Sequence, residues 1–331
     1  MRIRDLINYL TLGLLLATLS LASFAARVEA QTRNTNNVQE TDDKVKVDTY
    51  TRFVDNRKTN PQAAYDAARE YLRLYPKDDD QYTKYLKDWV ASYDRDQRKQ
   101  QLPELIYNAK NFPLAFSVGK QVLAEDPDNV KAFIDLGYAG YLASTAKNES
   151  FNVEAMAYAK KAIQLVESGK TPDTWAPFKG RDDALAHLYY TVGFLDLKPA
   201  PNAAIEPLIK GVQFDSDIRK TPSAYYFLAA AYEAGPYKKM SDDFQKTFGG
   251  KPETPESKLA LDKLNEVIDR IIDAYARAIA AAGNDPQNAQ NKKTWLERVT
   301  VLYKFRHQDS DAGLNELVAG ALTKPLPPKP N

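Results

Sequence analysis

The segment Ala274-x3-Ala278-x2-Ala281-x4-Pro286 constrains this chain more than any other. Alanines at i, i+4 and i+7 share one helical face and let a second helix come very close. The proline that follows cannot continue a helix and biases Asp285 away from helical geometry. A helix stripped of bulk on one side needs a partner that supplies it. The segment therefore reads as the second helix of a helix–turn–helix unit, of the kind that stacks side by side into an array. What it points to is binding rather than catalysis.

The rest of the chain carries the same period. Hydrophobic residues recur at helical spacing, and no run alternates as a strand would. The pattern predicts helices at 61–75, 79–95, 102–110, 112–125, 129–145, 151–168, 181–195, 202–213, 222–234, 257–282, 289–306 and 311–322. Breaks with turn chemistry separate them, among them Tyr75-Pro-Lys-Asp-Asp, Asp126-Pro-Asp-Asn, Thr221-Pro-Ser and Asn284-Asp-Pro-Gln-Asn.

The small-residue half-motif recurs as Ala64-x3-Ala68-x2-Tyr71-x4-Pro76 and Ala115-x3-Gly119-x2-Val122-x4-Pro127, and without the proline as Ala155-x3-Ala159-x2-Ala162. A complementary bulky half alternates with it: Tyr225-x2-Leu228-Ala229-x2-Tyr232, Phe133-x2-Leu136-Gly137 with Tyr141 one place late, and Leu185-x2-Leu188-Tyr189-x2-Val192. Large residues of one helix then fill the space left by small residues of its partner. These alternating halves resemble the tetratricopeptide repeat family over about residues 60–306. The resemblance implies an all-α solenoid of about four to five helix pairs that binds a protein or peptide partner. Pro76 and Pro127 are 51 residues apart rather than one 34-residue period, and extra segments fall at Ser144–Asn152 and about Gly235–Pro255. The array is therefore expected to be irregular, with the helix at 311–322 covering its last apolar face.

The family register implies which residues face the concave side. These are Ile134, Tyr138 and Tyr141; Ala186, Tyr190 and Gly193; and Tyr226, Ala230 and Glu233, with Phe194 adjoining. The expected partner-binding set is Tyr138, Tyr141, His187, Tyr190, Phe194, Tyr226 and Glu233. Such rings either line a groove, where they bury apolar groups and keep hydroxyls for hydrogen bonding, or fill the gaps between helices. The alternating Lys and Asn of carboxylate-clamp family members are not visible.

Composition removes other functions. Lys+Arg 45 against Asp+Glu 44 leaves a net charge of +1, so no global field favours nucleic acid. With no cysteine and 2 histidines, a thiol nucleophile, a disulfide or a conventional zinc site is not expected. No phosphate-cradling glycine loop, HExxH pair or nucleophile elbow is present, and no cofactor is called for. One enzymatic alternative stays open. Asn148-Glu149-Ser150-Phe151-Asn152 is similar to the Glu-Ser-x-Phe-Asn signature of lytic transglycosylases, in which the glutamic acid would protonate a glycosidic oxygen. Its spacing is one residue short and no Gly-Leu-Met-Gln-like segment follows, and the simpler reading is a polar helix start with Ser150 or Asn152 as cap and Glu154 in the first turn.

The ends carry other instructions. Arg2, Arg4, an apolar run from Leu10 to Ala25 and Val28-Glu29-Ala30 read as a signal peptide at 1–30, cleaved after Ala30, for a periplasmic or secreted bacterial envelope protein. Retention of that segment would instead make the chain a membrane-tethered assembly factor; the mature chain is expected to hold no integral span. Residues 31–47 are polar and aperiodic, hence a disordered linker, followed by the repeat domain at 48–323. Residues 324–331 form a proline-rich tail expected to sit in solvent.

Overall fold

The computed structural model describes residues 42–330. The expected leader, its cleavage site and most of the polar stretch 31–47 lie outside them. Among the described residues all regular secondary structure is helical, and no helix is long and apolar enough to cross a membrane. The chain divides into two compact units, ending and beginning at Asp94 and Arg95.

The first unit contains α1 (42–56), α2 (Pro61–Leu74) and the first half of α3 (Gln81–Pro103). Helix α2 starts where Asn60 accepts the Ala63 amide at 3.1 Å and Pro61 occupies the first helical position, where its missing N–H loses no bond. Its small face, Ala64, Ala67 and Ala68, is buried with Phe53, Tyr71 and Leu86. Residues 42–47, expected to be linker, belong to α1. Their polarity hides the helix, which is anchored by Lys46 bridging Asp78 and Asp80 and by Phe53 in the core.

The second unit is built from consecutive helix pairs. Helix α3 widens into a π-helical turn at Glu104–Asn108, so the separate helix expected at 102–110 is a continuation of α3. Then come α4 (Phe112–Glu125), α5 (Val130–Thr145), α6 (Asn152–Glu167), α7 (Arg181–Asp196), α8 (Pro201–Gln213) and α9 (Pro222–Tyr232). Asn111 and Asn129 cap α4 and α5 by accepting the amides of Leu114 at 3.3 Å and Ala132 at 2.8 Å. Helix α5 packs on α6 and α7 on α8, while α5 and α7 also touch one another. The copy of the small motif without a proline packs closest: a Cβ on Gly140 would lie 2.2 Å from Ala155 Cβ, and one on Gly137 2.7 Å from Ala159 Cα.

The segment after α9 is not a plain interruption. A π turn at Glu233–Tyr237 leads into α10 (Lys238–Phe248), a helix with no fully buried residue, and then into α11 (Pro255–Ala282), which pairs with α9. Thr254 and Ser257 form a reciprocal capping box at the start of α11. At its far end Gly283, with φ 54°, terminates the helix. Pro286 therefore does not stop α11 but opens the next 3-10 turn, where Asp285 accepts the Gln287 amide at 2.9 Å. Helix α12 (Ala289–Arg306) packs on α11, as does the short α13 (Leu314–Gly320) in the place expected of a cap.

The proline-rich tail is not free in solvent. Buried Arg277 donates to the carbonyls of Lys324 at 3.1 Å and Pro325 at 2.8 Å, and Arg270 donates to that of Pro328 at 2.7 Å. Leu326 packs against the core of this unit. A proline-rich segment can lie along a helix in this way because it brings few N–H groups that would need partners.

Candidate functional site

Helices α5, α7 and α9, from consecutive pairs, each contribute aromatic side chains, and the structure joins them into one row. Tyr138 stacks beside Tyr141 at 5.7 Å, which meets Tyr190 at 5.2 Å and Phe194 at 5.1 Å, both edge-on. Phe227 bridges onward, 5.2 Å from Phe194 and 5.6 Å from Tyr226. Tyr226 stacks on Trp295 of α12 at 5.3 Å. His187 joins near the other end, 5.4 Å from Tyr138 and 5.2 Å from Phe178. Contacts of this kind each contribute about 0.5–1.5 kcal/mol beyond burial, so the row is stiff as well as apolar.

The seven residues expected on this face are placed as follows. Tyr138, Tyr141, His187, Phe194 and Tyr226 are partly exposed, and Tyr190, 2% exposed, forms the floor. Glu233, at the start of the second π turn, accepts from Arg298 at 2.6 Å and from Tyr275 at 3.2 Å, so its carboxylate is already engaged within the fold. Three other positions of the implied register turn inward. Ile134 and Ala186 are buried, and a Cβ on Gly193 would lie 2.5 Å from Leu208, which aims that position at α8.

Polar groups flank the row. His187 Nδ1 lies 2.8 Å from the Asp183 carbonyl one turn earlier, and the Asp183 carboxylate accepts the Lys179 amide at 2.9 Å. Tyr190 and Ser223 share a hydrogen bond of 3.0 Å. At one end Tyr107, in the first π turn, donates to Asp135 at 2.8 Å, and Lys131 pairs with the same carboxylate. Burial pushes the Asp135 carboxyl up against the pull of Lys131. Burial likewise pushes Tyr138 up to about 12, helped by Tyr141 and Asp183, and drives Tyr190 higher still. These two phenols are therefore neutral across the physiological range. The row offers ring faces and edges with hydroxyl donors, and no paired nucleophile and base.

Four further members escape the implied register. Phe178 lies in the loop before α7, where no helical period marks it, and Tyr107 lies in a π turn that no half-motif covers. Phe227 sits beside Tyr226 but one position off the register, and Trp295 belongs to a helix for which no bulky half-motif is visible.

Glu149 stands apart from this row. It is exposed, it pairs with Lys198 at 2.6 Å, and it precedes a helix whose N-cap is Phe151 with no side-chain capping bond. The expected capping by Ser150 or Asn152 is thus replaced by a packing contact, Phe151 stacked on Phe116 at 4.4 Å. A cleft of about 550 Å³ between α11, α12 and α13 shares no residue with the row, and its Asp269 and Arg306 already pair at 2.8 Å. Among the described residues no cluster of histidine and carboxylate groups is arranged to hold a metal ion.

No protein-family model, curated protein or solved structure matches the chain.

Proposed function

We propose that the chain is a binding scaffold of the bacterial cell envelope, a divergent tetratricopeptide-like array that holds a protein or peptide segment along the aromatic row of α5, α7, α9 and α12. One observation carries the reading: rings from consecutive helix pairs meet without interruption while most of them stay partly exposed. A packed core has no need to present so many large rings partly to water, whereas a surface that captures apolar side chains does. The neutral phenols suit this role because they supply hydrogen bonds without the desolvation penalty of a charge.

A photo-crosslinking amino acid at Tyr141, compared with the same group at exposed Leu259, tests the reading in envelope extract. A discrete adduct at 141 that weakens with Phe194→Ala is expected. Equal labelling at both positions, or none at 141 with the fold intact, would remove the groove.

A further inference from the structure

The docked tail has a geometry that the aromatic row does not explain. Arg270 and Arg277 are seven residues apart on α11, about 10.5 Å along the helix and nearly on one face. The carbonyls they bind, Pro325 and Pro328, are three residues apart, a separation that in a left-handed polyproline helix is one full turn of about 9.3 Å. Two turns of α11 thus match one turn of the tail, which runs antiparallel to it. Lys263 occupies the next place in the same seven-residue series.

What is recognised is mainly the backbone. Three carbonyls receive guanidinium donors, and Leu326 is the one tail side chain packed against the core. Arg277 is 4% exposed with the tail in place, and Asp273 holds its guanidinium at 2.7 Å while its remaining donors reach the tail. Four of the seven residues from Lys324 to Pro330 are proline, whose fixed φ keeps the ordering entropy low on docking.

We propose that the face of α11 bearing Arg270 and Arg277 is a receptor for a proline-rich, left-handed extended segment of another polypeptide, kept closed in the resting chain by its own residues Lys324–Pro328. The site is independent of the aromatic row. Because the tail is tethered, its effective concentration is in the millimolar range, and a competitor must exceed that to enter.

The absence of cysteine gives a direct test in the full-length chain. Asn331→Cys carries a fluorophore at one place only, and its anisotropy reports whether the tail is docked. Titration with the unlabelled peptide Lys-Pro-Leu-Pro-Pro-Lys-Pro-Asn is expected to free the dye saturably at concentrations of about 1 mM and above. The same peptide with its prolines changed to alanine should act at least about ten-fold more weakly, since it loses the preset conformation. Arg270→Ala weakens tail and peptide alike, so it should not lower the displacing concentration but should loosen the tail of the unliganded chain, read as a lower starting anisotropy. A second arm uses the chain ending at Thr323, which should bind the labelled peptide directly and more tightly than the full chain does. Equal action of both peptides, or no displacement by either together with a folded Thr323-terminated chain that takes up no peptide, would overturn the receptor. So would unfolding of that truncated chain with no displacement in the full-length one, which would make the tail a permanent staple.

Discussion

Both units of this molecule are rich in aromatic residues, and they use them in opposite ways. In residues 42–94, Tyr50 meets Tyr82, and Phe53 meets Trp89, edge to face, while Trp89, Tyr93 and Tyr65 stack in sequence at 5.3 and 4.7 Å. Ring faces are spent on other rings, with Arg69 over the ring of Tyr65. In residues 95–330 rings from consecutive helix pairs instead touch one another and run in file. Aromatic content therefore marks no site by itself. What sets the second unit apart is contact between the rings of one helix pair and those of the next, which turns a packing element into a continuous edge.

The comparison can be broken most forcefully in the knotted cluster. Phe53 is fully buried, and Phe53→Ala should cost about 3–5 kcal/mol, read as loss of amide exchange protection centred on residues 42–94. If protection there survives, the cluster is not the core of the first unit. Next is the spacing of the ordered row. Gly140→Ala puts a methyl 2.2 Å from Ala155 Cβ, and calorimetry should show a loss of about 1–3 kcal/mol together with weaker crosslinking at Tyr141.

Acid should separate the units more gently. Burial pushes the Asp80 carboxyl up, but the Thr83 amide and Lys46 outweigh it and hold the group at about 2, against an ordinary value of 3.8. A depressed folded pKa stabilises above the unfolded value and is lost as pH falls through the folded one, so protection near Thr83 should decline between about pH 4 and pH 2. With that carboxylate 36% exposed, screening limits the loss to about 1 kcal/mol or less, and Asp80→Asn should flatten the profile. The smallest effect is expected outside both clusters. Glu149→Gln breaks an exposed pair with Lys198 and should move stability by less than about 0.5 kcal/mol, with no change in a peptidoglycan-cleavage assay. Cleavage by the parent chain that disappears in the variant would restore the enzymatic alternative.

Most of the helical order is legible in the sequence because it rests on local chemistry. Asn60, Asn111 and Asn129 open helices where capping residues should, and the alanine faces at 64–68, 155–162 and 274–278 are buried as their spacing demands. The row is legible in part. Tyr138, Tyr141, Tyr190, Phe194 and Tyr226 follow from position in the first helix of a pair, but the link through Phe227 depends on a turn of α9 that period alone does not fix. Helix α1 is hidden because its capture depends on Asp78 and Asp80, more than thirty residues away. The docking of the tail is hidden for the same reason. Arg270 and Arg277 read as ordinary helix charges until the segment that lies on them is seen.

The contact of Gly137 and Gly140 with Ala159 and Ala155 sets a limit as well as a fit. Two helices already touching through hydrogen and methyl groups cannot be pressed closer, and side chains in file above them cannot slide without parting the pair. The row then behaves as a fixed ruler. A ligand would have to match its span on arrival, and selection would fall on the ligand's length and stiffness more than on its individual side chains.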